Sequence, residues 1–177
     1  MRRPSLTIAV YPGSFDPATN GHVDIARRAA AIFEHLFVAV YDAPPKNVLF
    51  STEERVTLLQ KALKDTPNIT VASFGGLLVD YTKAKGAKVI VRGLRAISDF
   101  EMEFQMALLN RKMEPTIDVV CLMTSEQYTF LSSSILKEIV MLGGNVNGLV
   151  PGHVAEAMKR KFSSRPDVGA IPRYLTS

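Results

Sequence analysis

Short aliphatic runs alternate with segments of helical period along most of the chain. Residues 6–11 form an apolar run closed by Pro12 and Gly13, which reads as a first strand. Between 22 and 34, apolar side chains recur at 23, 26, 30 and 33, the spacing of one helix face. Residues 36–41 are a second strand, too short for a buried helix. Ser51 with Glu54 makes a capping box, and Val56, Leu59 and Leu63 then share one helix face. A third strand covers 69–74, and a helix over 77–85 ends at Gly86, which suits a left-handed C′ position. A fourth strand covers 88–92. Ser98 and Glu101 suggest a second capping box, and a fifth strand covers 117–123. Helices over 134–142, stopped by Gly143 and Gly144, and over 151–162 complete the order.

Strands separated by helices need crossover connections, so the pattern predicts an α/β fold. It is a Rossmann-like, doubly wound, five-stranded parallel sheet with helices on both faces. Near-continuous apolar strands agree with burial on both sides. Residues 1–162 read as a single domain and 163–177, with Pro166, Gly169 and Pro172, as an extended C-terminal tail.

Composition narrows the picture. Of 177 residues, 47% are hydrophobic and 21% charged, as in an ordinary globular chain. No apolar run is long enough to span a bilayer, and the start lacks a secretory pattern, so a cytoplasmic protein is expected. The lone Cys121 excludes an internal disulfide and reads as a small buried hydrophobe. The net charge of +4 favours anionic ligands without choosing among them. Lys159, Arg160 and Lys161 read as a solvated helix face, and no motif points to nucleic acid. No histidine–cysteine–carboxylate spacing suggests a protein-built metal site, and no P-loop is present. His35 reads as sitting at a helix C-terminus, where positive charge is favoured, and His153 as structural.

The unusual polar clusters follow strands, where open parallel sheets bind ligands. After strand 1, the stretch from Gly13 to His22 combines glycines for close backbone approach with a helix start able to receive phosphate. Lys46 follows strand 2. Arg92 and Arg95 flank Gly93 and Leu94 after strand 4; their planar forks suit phosphate, or pair with Asp99, Glu101 or Glu103. Ser132, Ser133 and Ser134 precede a helix, more hydroxyls than one cap needs.

Thr19-Asn20-Gly21-His22 resembles the His/Thr-x-Gly-His signature of the nucleotidyltransferase superfamily. Residues 11–17, Glu53-Glu54-Arg55, Arg92 to Arg95, Asp99-Phe100-Glu101 and Ser132 to Ser134 with Lys137-Glu138 narrow the resemblance to the bacterial phosphopantetheine adenylyltransferase family. It covers residues 6–162. The resemblance implies AMP transfer from ATP to 4′-phosphopantetheine, giving 3′-dephospho-coenzyme A and pyrophosphate by direct in-line attack, with Mg2+. It also implies a homohexamer and feedback binding of coenzyme A. By position, Ser14, Lys46, Leu78 and Arg92 would hold phosphopantetheine. Ser14, Phe15, His22, Gly93, Leu94, Arg95, Glu103, Tyr128, Thr129, Phe130, Leu131, Ser132, Ser133 and Ser134 would hold ATP. His22, Lys46 and Arg95 would be catalytic. Ser14 stands where some members have threonine, and Met102 and Tyr128 where some have other aromatic residues. The rival readings are another nucleotidyltransferase of the same fold, such as a nicotinamide-mononucleotide enzyme, and a non-catalytic nucleotide- or RNA-binding module.

Overall fold

The computed structural model describes residues 7–44, 48–95 and 97–163, with only the backbone at 97 and 98. Five parallel strands lie in the order β3-β2-β1-β4-β5. They are β1 (Ile8–Gly13), β2 (His35–Tyr41), β3 (Ile69–Phe74), β4 (Val89–Leu94) and β5 (Asp118–Met123). The intervening helices are α1 (Asn20–Ile32), α2 (Thr52–Leu63), α3 (Leu78–Ala84) and α4 (Ile97–Met113), followed by α5 (Ser133–Met141) and α6 (Gly152–Ser163). The chain winds outward from β1 through β2 to β3, then returns to β1's other side for β4. The carboxyl ends of β1 and β4 therefore open a cleft at the point of reversal.

The alternation of side chains decides which helix covers which face. Ala9, Tyr11, Val38, Val40, Val71 and Val91 point to one face, where the small residues Ala26, Ala29 and Ala30 of α1 and Leu59 and Leu63 of α2 pack. Val10, Ala39, Phe74 and Ile90 point to the other, against Leu78, Val79 and Tyr81 of α3. A separate apolar cluster joins α5 and α6 to Leu49 and Phe50. Tyr81 carries a buried hydroxyl without a partner there.

The capping box at Ser51 forms as expected, with Ser51 N–H donating to Glu54 at 2.8 Å. Gly86 takes φ 65° just past α3. Several expectations need correction. Helix α4 begins at Ile97, so Ser98 lies inside its first turn rather than at a cap. Strand β4 runs from Val89 on to Leu94, so Gly93 and Leu94, expected after it, belong to the strand and pair with Leu122 and Met123. Gly93 is closely packed there, since an added Cβ would come within 3.2 Å of the Ile25 side chain. Cys121 is exposed, because β5 is the sheet's edge and its faces are only partly covered within the chain. His35 opens β2, with Nε2 3.0 Å from Thr70 Oγ1, and is not a helix terminus. His153 is structural as expected, its Nε2 2.9 Å from the Leu58 carbonyl. Lys161 pairs with Glu54 at 2.8 Å. Lys46 and residues 164–177 lie outside the described residues. Among the described residues no helix is long and apolar enough to cross a membrane.

Candidate active site

A cavity of about 340 Å³ lies at the β1–β4 reversal. Its floor is the end of β1, Tyr11 to Ser14, and Gly93 of β4; α1 enters with Thr19, Gly21 and His22, and α5 with Ser132, Ser133 and Ser134. Arg92, Arg95, Asp99, Glu103, Tyr128 and Leu131 complete most of the wall.

His22 is held by the start of its own helix. Thr19 is the N-cap, and its backbone N–H donates to His22 Nδ1 at 3.0 Å, while His22 N–H donates to Thr19 Oγ1 at 3.3 Å. This is a capping box in which the imidazole takes the place of the usual glutamate. Because Nδ1 accepts, the proton of the neutral ring sits on Nε2. Phe15 packs its ring edge-to-face on His22 at 5.2 Å and on Tyr11 at 5.4 Å. To do so Phe15 adopts φ 48°, an uncommon region for a residue with a side chain. Gly13 makes room for that ring: a Cβ there would fall 2.9 Å from Phe15 Cζ. Gly21 likewise sits where a Cβ would be 3.3 Å from Tyr128 Cβ. Both glycines are thus crowded by the protein's own packing, since a side chain at either position would force Phe15 or Tyr128 to shift.

The arginines join both of the alternatives the sequence left open. Arg92 makes a two-pronged pair with Glu103, Nε to Oε2 at 2.6 Å and Nη2 with Oε1, and also donates to the Pro12 carbonyl at 3.3 Å. Arg95 donates to Asp99 at 3.3 Å and to the Leu131 carbonyl at 2.7 Å. Both guanidinium groups face the cavity and both have carboxylate partners. A bound phosphate must therefore share or displace Glu103 and Asp99, which hold the forks in place meanwhile. Burial pushes the Tyr11 phenol well above its usual range, although Arg92 and Arg95 pull it back in part. It stays a neutral donor.

At α5, the N-cap Ser132 makes no side-chain capping bond, and Ser133 Oγ donates instead to the Pro17 carbonyl at 2.8 Å. The first amides of α5 are thus not capped by Ser132, at a helix end suited to an anion.

Most of the expected residues meet here: Ser14, Phe15, His22, Arg92, Gly93, Arg95, Glu103, Tyr128, Leu131 and the three serines. Leu94 is buried beneath the site, while Phe130 is exposed and Thr129 turns its hydroxyl to the Glu126 carbonyl; none of these three lines the cavity. Leu78 lines a smaller adjoining cavity of about 80 Å³, which shares Arg92 and Glu103 with the first. Met106, Ala107 and the buried Asn110 of α4 also line it. Asn110 had no sequence signal, since a polar residue within an apolar helix reads as solvent-facing. In the sequence Arg55 stands only within the Glu53-Glu54-Arg55 motif, with no role attached. It is almost wholly buried and donates to the carbonyls of Phe50, Ser14 and Tyr41 at 3.2, 2.8 and 2.8 Å, joining the loops after β1 and β2.

Among the described residues no three His, Cys, Asp or Glu side chains cluster as a metal site. The donors present, serine hydroxyls beside carboxylates engaged by arginine, suit a cation that arrives on phosphate oxygens rather than a protein-built cage.

Residues 10–139 match the family model described as cytidylyltransferase-like. The chain is 55% identical over 160 residues to the phosphopantetheine adenylyltransferase of Roseiflexus sp. (strain RS-1), covering 90% of this chain and all of that one. It is 57% identical to the enzyme of that name from Thermomicrobium roseum, over 87% of this chain and 94% of the other. The fold is shared with a solved structure from Vibrio parahaemolyticus described as a nicotinate-nucleotide adenylyltransferase. The TM-score is 0.68 at 15% identity, over 91% of this chain and 98% of that one. With its nucleotidyltransferase fold and its extensive identity to these relatives, the chain belongs to the phosphopantetheine adenylyltransferase family.

Proposed function

We propose that this enzyme transfers the adenylyl group of ATP to 4′-phosphopantetheine, releasing pyrophosphate and forming 3′-dephospho-coenzyme A. The observation that carries the reading is the Thr19–His22 capping box, which occupies Nδ1 and leaves Nε2 to face a ligand in a cavity walled by two arginines. The names of the relatives support the acceptor.

The nucleophile is already an anion, a phosphate oxygen of the acceptor, so it needs no strong general base. It attacks the α-phosphorus in line and pyrophosphate leaves. The protein's task is to bring two polyanions together and to neutralise charge. Arg92, with Lys46, orients the incoming phosphate, Ser14 assists, and Leu78 bounds the pantetheine arm beside the smaller cavity. His22 donates from Nε2 to the α-phosphate as charge develops. Arg95 and the start of α5 take the β- and γ-phosphates, with Phe15, Gly93, Glu103, Tyr128 and Leu131 around the nucleotide. Mg2+, when bound, offsets phosphate charge; it would be carried by the triphosphate and reach the protein at the serine hydroxyls.

The assembly belongs to the same reading. Helix α4 exposes Phe100, Met102, Phe104, Met106, Leu108, Leu109 and Met113, an apolar surface of the kind a partner copy covers. This supports a homo-oligomer, a hexamer by family. Coenzyme A, which contains the same pantetheine arm, is a feedback ligand, and the enzyme works in the cytoplasm.

Pyrophosphate release from ATP, measured over a panel of phosphorylated acceptors, tests the assignment. Release with 4′-phosphopantetheine and not with nicotinate or nicotinamide mononucleotide is expected. Release with a mononucleotide alone would overturn the acceptor.

A further inference from the structure

The carboxylate of Asp16 is sealed from solvent, yet the phosphate chemistry above makes no use of it. Its oxygens accept the Leu49 N–H at 2.9 and 3.0 Å, the Phe50 N–H at 3.0 Å and Lys137 Nζ at 2.8 Å. Lys137 lies one turn along α5 from Ser133, which itself donates to Pro17. The start of α5 is thus attached at two points to adjacent residues of the β1–α1 loop. That same loop carries Phe15, packed on His22, and Thr19, which fixes the imidazole.

We propose that Lys137 is a positioning residue for the nucleotide: its ion pair with Asp16 holds the serine-bearing start of α5 in register with the His22 loop. The two halves of the anion site then meet one triphosphate without rearrangement. Lys137 is not in the cavity wall, so it acts through Asp16 rather than by touching phosphate. The directional demand comes from Asp16, since a buried carboxylate must keep its donors close. The proposal rests on ATP occupying this cavity, as set out above.

The test is ATP affinity by calorimetry, with no acceptor present, so it is decided separately from the acceptor's identity. Lys137→Met is expected to weaken ATP about tenfold, the size of a typical coupling between neighbours. Binding of 4′-phosphopantetheine, titrated alone, should change less than about twofold, and Lys137→Arg should recover most of the loss. Asp16→Asn should reproduce the ATP defect, and the double variant should be no worse than either single one. Unaltered ATP binding in Asp16→Asn, or additive losses in the double variant, would mean that Lys137 touches phosphate directly and would overturn the proposal. So would equal weakening of both ligands in step with a lowered Tm. Should Lys137→Met fail to fold, the near-isosteric Asp16→Asn decides the matter by the same ATP-selective loss.

Discussion

The two sides of the cleft are built on different terms. On the β1–β2 side the strands are buried almost throughout, and the loops that follow them are tied by Asp16 and Arg55 to backbone groups. On the β4–β5 side, β5 is a partly exposed edge and α4 carries apolar side chains into solvent. Its arginines are held in partly exposed ion pairs, Arg92 with Glu103 and Arg95 with Asp99. The difference assigns two jobs. One side fixes a histidine through its own helix start, while the other sets two arginines in partly exposed ion pairs beside an uncovered apolar helix; on the proposed reading the first serves the transition state and the second the incoming phosphate and a partner copy.

Substitutions on each side should separate these jobs. The largest effect is expected for His22→Ala, which should lower kcat by about a thousandfold with little change in ATP affinity, the scale of losing a transition-state donor. Turnover near that of the wild type would remove His22 from the chemistry. Arg55→Leu, on the same side, should act on stability, because its loss orphans three carbonyls. A cost of about 3 kcal/mol, or a fall in Tm of roughly 6–12 °C, is expected by calorimetry. Across the cleft, Arg92→Ala should do the opposite: its pair is partly exposed, so Tm should move little while the KM for phosphopantetheine rises roughly 10–100-fold. An equal fall in Tm for the two arginine variants would erase the distinction between the sides.

Smaller effects sharpen the picture. Leu108→Lys on α4 should shift the assembly to smaller species in sedimentation, with the circular dichroism of the fold retained, since each buried leucine contributes about 1.5–3 kcal/mol. A wild-type chain that sediments as a monomer would contradict the covered surface. Tyr11→Phe should leave the alkaline limb of the pH–rate profile in place. Burial raises the phenol's pKa, so it remains protonated as pH rises through the usual tyrosine range, and its ionisation contributes nothing there. Loss of that limb in the variant would refute this.

Much of the frame was legible from the chain. Strand β3 has the bounds its apolar run implied, and Ser51, Glu54 and Gly86 cap helices as their chemistry requires. The clusters after β1 and before α5 also converge as expected for a sheet that binds ligands at its carboxyl edge. What escaped was long-range. Lys137 is 121 residues from Asp16, and no local pattern announces that pair. Arg55 stood out only within a family motif, and nothing local announces that the fold buries it among carbonyls. The expected fourth strand stopped at Arg92, before the glycine; in place, pairing with β5 carries β4 on through Gly93 to Leu94. Cys121 failed for the converse reason, since a buried-strand composition on an edge anticipates a covering that the single chain does not supply.

The central claim is direct transfer between two ligands held in one cavity, with no group of the protein becoming bonded to phosphorus. ATP labelled at the α-phosphate, incubated with 4′-phosphopantetheine and enzyme, tests it most directly. The account predicts that label appears in 3′-dephospho-coenzyme A in equal amount to the pyrophosphate released, with none on the protein. Label trapped on the polypeptide, or recovered only as free AMP, would contradict it.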